Sequence, residues 1–193
     1  MDGATLAAYK EMLRVIRFVL DTKLYCLKME PKKDEEDWNL MVYSDSDWAG
    51  DTENRISITG FIIYLLGVPI CWRSKGQKGV TLSSSEAEYV AMSEAVKEIR
   101  FVYYLLESLG IPVKLPIIVR TDNIGAIFMA ENVSSGICTR HIDTWYHFIR
   151  EHLEDGFIKI IFVRTNDNDA DIFTKNVNKE TYEKHVEKFL GKW

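Results

Sequence analysis

Cysteine is scarce in this 193-residue chain: Cys26, Cys71 and Cys138 are odd in number, far apart and form no CxxC pair. That excludes a disulfide framework and a cysteine-based zinc finger, and it suits a reducing compartment. No apolar run approaches the ~18 residues that would span a membrane. No secretory leader is expected, because Met1-Asp2-Gly3 opens acidic and Lys10 and Arg14 interrupt the apolar pattern that follows. There is no internal repeat and no low-complexity tract. A basic surplus is missing too, with 24 Lys+Arg against 29 Asp+Glu for a net charge of -5. Phosphate binding normally rests on such a surplus, so the balance argues mildly against nucleic acid. It leaves room for a local basic rim around an acidic, metal-loaded centre. What is present, 47% hydrophobic and 12% aromatic residues, suffices for a real core at this length. The expectation is one soluble, intracellular domain with a short appendage.

Leu6, Tyr9, Leu13, Ile16 and Leu20 recur at helical spacing, which predicts an amphipathic helix over residues 4–20. The stretch 29–37 is charged, aperiodic and contains Pro31, so it reads as a linker. Residues 1–37 are then a helix and linker, and the main domain is 38–193. Strands are predicted at 40–45, 58–66 and 69–74, the last two joined by a tight turn around Gly67; such close spacing indicates an antiparallel meander. A long helix over 85–109 stops at Gly110 and Pro112. Residues 117–121 form a short strand of the kind buried on both faces. Helices at 124–131 and 142–155, a strand at 158–163 and a final helix at 179–190 complete the chain. Antiparallel strands feeding into parallel crossovers mean an α/β domain with a mixed sheet and helices on its faces.

The informative carboxylates are those on faces that ought to be apolar. The long helix carries a stripe of Met92, Ala95, Ile99, Val102, Leu106 and Leu109 at three- and four-residue steps. One turn back, that stripe lands on Glu88, where a lone carboxylate is costly unless paired or metal-bound. The plainer reading is a first-turn acid complementing the helix dipole. Glu94 and Glu98 lie with Lys97 on the opposite, solvated face. Val42-Tyr43-Ser44-Asp45 and Val119-Arg120-Thr121-Asp122 both run from apolar residues through a hydroxyl into Asp. If the two strands are parallel neighbours, both acids stand at the carboxyl ends, where open α/β sheets place their sites. Either Asp alone could equally start a turn. Asp47 reads as a turn residue, Asp167 and Asp169 as turn and cap residues, and Asp171 as a candidate in the first turn of the helical segment after it.

Five segments then take on meaning together: Tyr43-Ser-Asp-Ser-Asp-Trp-Ala-Gly-Asp51, Leu82-Ser-Ser-Ser-Glu-Ala-Glu-Tyr89, Thr121-Asp-Asn123, His141-Ile-Asp-Thr-Trp-Tyr-His-Phe-Ile-Arg-Glu151 and Ala170-Asp-Ile-Phe-Thr-Lys175. In this order they resemble the ribonuclease H domain at the end of copia-type retrotransposon polyproteins, over about residues 38–193. Residues 1–37 look like the tail of the preceding reverse-transcriptase region. The resemblance implies the ribonuclease H-like fold, a five-stranded mixed sheet with three antiparallel and two parallel strands flanked by helices. It implies a catalytic, metal-binding set of Asp45, Glu88, Asp122 and Asp171, holding two Mg²⁺ ions, or Mn²⁺ in their place, roughly 4 Å apart. Asp45 would bridge both ions, Glu88 and Asp122 would lie toward the leaving-group ion, and Asp171 toward the nucleophile ion. Hard cations take oxygen ligands, so Asp and Glu suit the task, and without metal at least one of four converging acids should hold a proton. The implied reaction is endonucleolytic cleavage of RNA in an RNA–DNA hybrid, leaving 3′-hydroxyl and 5′-phosphate ends. The implied partners are that hybrid and the reverse-transcriptase domain of the same polyprotein, with no membrane. The implied setting is cytoplasmic, within a virus-like particle.

Candidate substrate contacts follow. Ser83, Ser84 and Ser85 at the helix entrance could reach sugar or phosphate, or simply cap the helix. Asn123 beside Asp122 is a similar candidate, and Arg55, Arg73, Lys75 and Lys78 could form a basic rim or be merely solvated. Trp48 and Trp72 read as core or strand packing rather than base stacking. The loop 164–168 lacks the histidine that many ribonucleases H carry there; His141 could substitute, or could be an ordinary helix-start residue. Residues 131–140 also lack a strongly basic handle, which with the net charge predicts weak intrinsic hybrid binding, affinity coming from a linked polymerase. Two rival readings remain: a catalytically silent scaffold supporting a polymerase, and the same fold acting on another nucleic-acid substrate, since fold alone does not settle function.

Overall fold

In the computed structural model, residues 5–31, 38–50, 53–132 and 143–192 are described. The element order is α1 (Leu6–Thr22), β1 (Tyr25–Leu27), β2 (Leu40–Asp47), β3 (Ile58–Leu65), β4 (Val68–Gly76), α2 (Ser84–Ser108), β5 (Ile117–Thr121), α3 (Ile124–Glu131), α4 (Asp143–Glu154), β6 (Ile158–Phe162), α5 (Lys179–Val186) and β7 (Leu190–Lys192). The main sheet runs β4-β3-β2-β5-β6. β2, β3 and β4 pair antiparallel, and β5 and β6 continue parallel to β2. The meander closes through Leu66 and Gly67, both at positive φ (53° and 76°), the backbone twist that a two-residue hairpin loop requires. Glycine adopts that conformation freely and leucine does not.

Period-2 alternation divides the side chains between two cores. On one face Leu40, Val42, Phe61, Ile63, Ile117 and Val119 pack against Met92, Ala95, Val96 and Ile99 of α2. On the other, Tyr43, Ile62 and Tyr64 meet Ala170, Val186 and Phe189. α2 begins where Ser83 accepts from the backbone N–H of Glu86 at 3.2 Å, while the Glu86 carboxylate accepts from the N–H of Leu82. It ends with Gly110 at φ 74° and the Gly110 and Ile111 amides folded back on Glu107 and Leu106. The apolar stripe is buried from Met92 to Leu106, but Leu109 is 66% exposed, because it is the cap residue where the chain leaves the helix.

The two chain ends depart from the sequence reading. The final helix stops at Val186 rather than near 190, because residues 190–192 turn extended to pair antiparallel with β1. The N-terminal segment is therefore joined to the C-terminal one: Tyr25 faces Lys192, Lys28 Nζ donates to the Glu187 carbonyl at 2.9 Å, and the Phe18 and Tyr182 rings meet edge to face. α1 itself buries none of its residues.

Asp169 does lie in a turn, as expected, but it does more than shape the chain there. It is 2% exposed and accepts from Tyr64 Oη at 3.0 Å, with His185 Nδ1 at 2.7 Å and Lys188 Nζ at 2.5 Å, fastening the α5 end of the chain to β3. Burial pushes this carboxyl up, but the His185 and Lys188 contacts outweigh it and hold it below the ordinary carboxylate range. Removing one partner of such a buried cluster strands the others. Asp169→Ala should lose roughly 3 kcal/mol or more of stability, read by chemical denaturation at pH 7. Because its folded value is lowered, the stability Asp169 contributes is present above the ordinary Asp value of about 3.9 and fades as pH falls below it.

Candidate active site

β2 and β5 lie side by side with Tyr43 opposite Arg120, and Arg120 donates to Tyr43 Oη at 2.9 Å. Two residues further on, alternation places Asp45 and Asp122 on that same face as both strands reach their carboxyl ends. Asp45 is 2% exposed. Glu88 arrives from the first turns of α2, on the opposite face, and its Oε1 accepts the Ser46 backbone N–H at 3.1 Å across the end of β2. One carboxylate oxygen from each of Asp45, Glu88 and Asp122 lies within 4.8 Å of the others.

Asp171 approaches from a single 3-10 turn, Asp171–Phe173, that lies over Gly60, the residue paired with Asp45 across β2 and β3. A Cβ at Gly60 would stand 2.5 Å from Thr174 Cγ2 and 3.0 Å from the Ala170 carbonyl, so glycine is what lets the turn come this close. Two hydrogen bonds hold it: Thr174 Oγ1 donates to Asp45 Oδ2, and the buried Asn168 donates from Nδ2 to the Ser44 carbonyl at 2.9 Å. Asp171 is itself buried and ion-paired with Lys175 Nζ at 2.8 Å.

Burial raises the Asp45 carboxyl to about 6, countered by Thr174 and Lys175 and reinforced by the charges of Asp171 and Asp122. Burial and the neighbouring Asp45 and Asp122 push Glu88 further, to about 9, against the hydrogen bond from the Ser46 N–H. Glu88 Oε2 is buried without a hydrogen-bond partner, as are the hydroxyls of Ser44, Ser46 and Thr121 that flank Asp45 and Asp122 in sequence. An all-oxygen donor set with an orphaned buried carboxylate oxygen fits a hard divalent cation, and Asp45, Glu88 and Asp122 are the residues that converge to hold one.

Of the other sequence candidates, Ser85 and Asn123 are brought together: Ser85 Oγ lies 3.1 Å from Asn123 Oδ1, which also caps α3 through the Ala126 N–H. Ser83 caps α2, and Ser84 is exposed. Arg73 is engaged away from the acids, pairing with Glu98 at 3.0 Å and Glu94 at 3.7 Å and lying over the Phe61 ring, so β4 is tied to α2. Glu94 and Glu98 are thus half-buried partners rather than free surface acids. Lys75 and Lys78 line a groove of about 440 Å³ with Thr59 and Gln77. His141 lies outside the described residues. Neither Trp48 nor Trp72 is buried, at 44% and 51% exposure; Trp48 instead donates from Nε1 to the Thr81 carbonyl at 3.1 Å. The sequence reading missed Gly60, Asn168, Thr174 and Lys175. The signal for the last two was their offset of three and four residues from Asp171, one helical turn.

A five-stranded mixed sheet with acids at the carboxyl ends of its two adjacent parallel strands is the ribonuclease H fold. In agreement, the ribonuclease H1 LC11, solved in complex with an RNA/DNA hybrid, superposes with a TM-score of 0.53 at 15% identity, covering 70% of this chain and 93% of that one. The N-terminal ribonuclease H domain of Rv2228c from Mycobacterium tuberculosis gives 0.50 at 12% identity, covering 78% and 98%. No protein-family model matches. By sequence, the chain is 35% identical over 175 residues to the retrovirus-related Pol polyprotein of transposon RE2 from Arabidopsis thaliana, which is 91% of this chain and 12% of that polyprotein. It is 41% identical over 144 residues to that of transposon TNT 1-94 from Nicotiana tabacum, 75% of this chain and 11% of the polyprotein. The chain belongs to the copia-type retrotransposon Pol family, as a segment of ribonuclease H fold spanning about an eighth of the relatives' length.

Two predictions come from this geometry. Because the folded values of Asp45 and Glu88 are raised, the metal-free fold binds more protons than the unfolded chain. Its stability should therefore decline as pH rises from the ordinary carboxylate range, about 4, toward about 9. Asp45→Asn or Glu88→Gln should flatten that decline and melt about 3 °C or more above wild type at pH 8 in EDTA, as followed by calorimetry. Gly60→Ala should cost about 1–3 kcal/mol by overpacking and should impair any activity that needs Asp171 in place; denaturation and cleavage assays on one preparation read both.

Proposed function

We propose that this domain is a metal-dependent endoribonuclease that hydrolyses the RNA strand of RNA–DNA hybrids, working beside the reverse-transcriptase region of its own polyprotein. The observation that carries the reading is the convergence of Asp45, Glu88 and Asp122 within 4.8 Å at the carboxyl ends of β2 and β5, with the turn that carries Asp171 seated over Gly60. Bound divalent cations, two Mg²⁺ or Mn²⁺ in their place, supply the Lewis acidity for in-line displacement at phosphorus, giving 3′-hydroxyl and 5′-phosphate ends. The chain's residues set the conditions. Asp45 and Asp122 are fixed on rigid strand ends, Glu88 is aimed by the Ser46 N–H, and Asp171 is positioned by the turn that Thr174 and Asn168 clamp. Glu88 must release its proton to serve as a ligand, so loading is coupled to proton release.

Ser85 and Asn123, side by side at the entrances of α2 and α3, offer a hydroxyl and an amide to the ribose 2′-hydroxyl, the group that distinguishes RNA from DNA. Ser83 and Ser84 at the entrance of α2 are further candidates, His141 is another on its sequence motif alone, and Lys75 and Lys78 offer charge to the backbone. Arg73 would have to leave its two glutamates to join them. The match to RE2 is longer than residues 38–193 alone can supply, which supports reading residues 1–37 as continuous with the upstream polyprotein. Tethering to that region would compensate for the chain's negative charge by raising the local hybrid concentration. The polyprotein context supports a cytoplasmic, particle-associated setting.

The test is cleavage of a strand-labelled hybrid in Mg²⁺ and in Mn²⁺ at low salt, beside duplex DNA, duplex RNA and single strands. Wild type should cut only the RNA of the hybrid, and Asp122→Asn should lose at least ~100-fold, more than is typical for disturbing a metal site's outer support. Undiminished cleavage by Asp122→Asn would place the site elsewhere. Hybrid binding without cleavage in either metal would make the domain a scaffold.

A further inference from the structure

The site contains a cation of its own. Lys175 Nζ lies 2.8 Å from Asp171 Oδ1, and its charge also acts on Asp45 and Asp122, drawing on three of the four acids at once. Local backbone geometry puts it there. The amides of Thr174 and Lys175 both fold back on the Asp171 carbonyl at 3.3 Å, one helical turn that stacks residues 171 and 175 on the same side. Thr174 meanwhile reaches Asp45 from the same turn. The hydroxyl and the ammonium are thus delivered together to a cluster whose charges otherwise repel.

Lys175 also has somewhere to go. Its side chain is 38% exposed, and it forms part of the wall of a groove of about 850 Å³ between α1 and α5, beside Ile172, Asn176 and Tyr182. A lysine stem is flexible and its ammonium compact, so rotation about a few bonds would move the charge from Asp171 into that groove. A divalent cation approaching Asp171 would be repelled by an ammonium held on the same carboxylate.

We propose that Lys175 is a built-in counter-cation, a positioning residue that holds the carboxylate cluster together in the metal-free protein and is displaced from Asp171 when a divalent cation enters on that side. This rests on the reading of the cluster as a divalent-cation site. Lys175 then has two opposed effects: it stabilises the empty site and weakens metal binding. A lysine that merely braced the fold would not produce the second.

The experiment uses the full chain, with Mn²⁺ alone as the probe. Wild type, Lys175→Met and Lys175→Arg are compared by calorimetric titration and by thermal unfolding in EDTA at pH 7.5. Lys175→Gln, which keeps a donor without the charge, stands in if the methionine variant does not fold. The neutral variants should melt below wild type in EDTA yet bind Mn²⁺ about tenfold more tightly, in keeping with removal of one nearby charge. Lys175→Arg should stay near wild type in both. Equal or weaker Mn²⁺ binding by the neutral variants overturns the role of Lys175 while leaving the metal site standing. No Mn²⁺ binding by folded wild type or variants overturns the metal site itself, and this role with it.

Discussion

Carboxylates confined within 4.8 Å of one another repel, and burial deepens the cost because water no longer screens them. Much of the architecture around Asp45, Glu88 and Asp122 answers that constraint. Glu88 takes an amide from the end of β2, Asp45 takes a hydroxyl from Thr174, and Asp171 takes an ammonium from Lys175. These contacts do not cancel the repulsion; they leave Asp45 and Glu88 with raised affinity for protons. That raised proton affinity is what separates this site from an ordinary cluster of surface acids.

Such a concentration of charge needs rigid support, and the mixed sheet supplies it. The antiparallel meander positions Asp45 at the end of a central strand, and the parallel crossover through α2 returns the chain as β5, which sets Asp122 beside it. α2 is the crossover, so its first turns must rise from the same end of the sheet that carries the two aspartates, and Glu88 comes with them. Asp171 alone rests on a short turn rather than a long element. Its precision comes from contact: no Cβ at Gly60, an amide from Asn168 and a hydroxyl from Thr174 leave the turn little room to move.

The far end of the chain is secured by different means. Asp169, two residues before Asp171, is drawn into a buried cluster with Tyr64, His185 and Lys188, so the segment carrying the fourth acid is anchored on both sides. The pairing of β1 with β7 brings residues 25–27 against residues 190–192 near the other end of the chain.

Much of this was legible in the residues themselves. Apolar spacing, short apolar runs and turn signals marked every strand of the main sheet and the helices, since they reflect which faces a core must cover. It also exposed Glu88 as an acid on an apolar stripe, and the matching Ser/Thr-Asp endings of two strands flagged Asp45 and Asp122. Asp171 carried no such mark and depended on resemblance, because a turn has no periodicity against which a residue can look misplaced. Three-residue strands such as β1 and β7 are too short to show a pattern, and their pairing spans nearly the whole chain. Gly60, Asn168, the reach of Thr174 to Asp45 and the buried state of Asp169 were decided only by tertiary structure. Each depends on the distance between segments remote in sequence, and local chemistry does not encode how close two distant backbones will come.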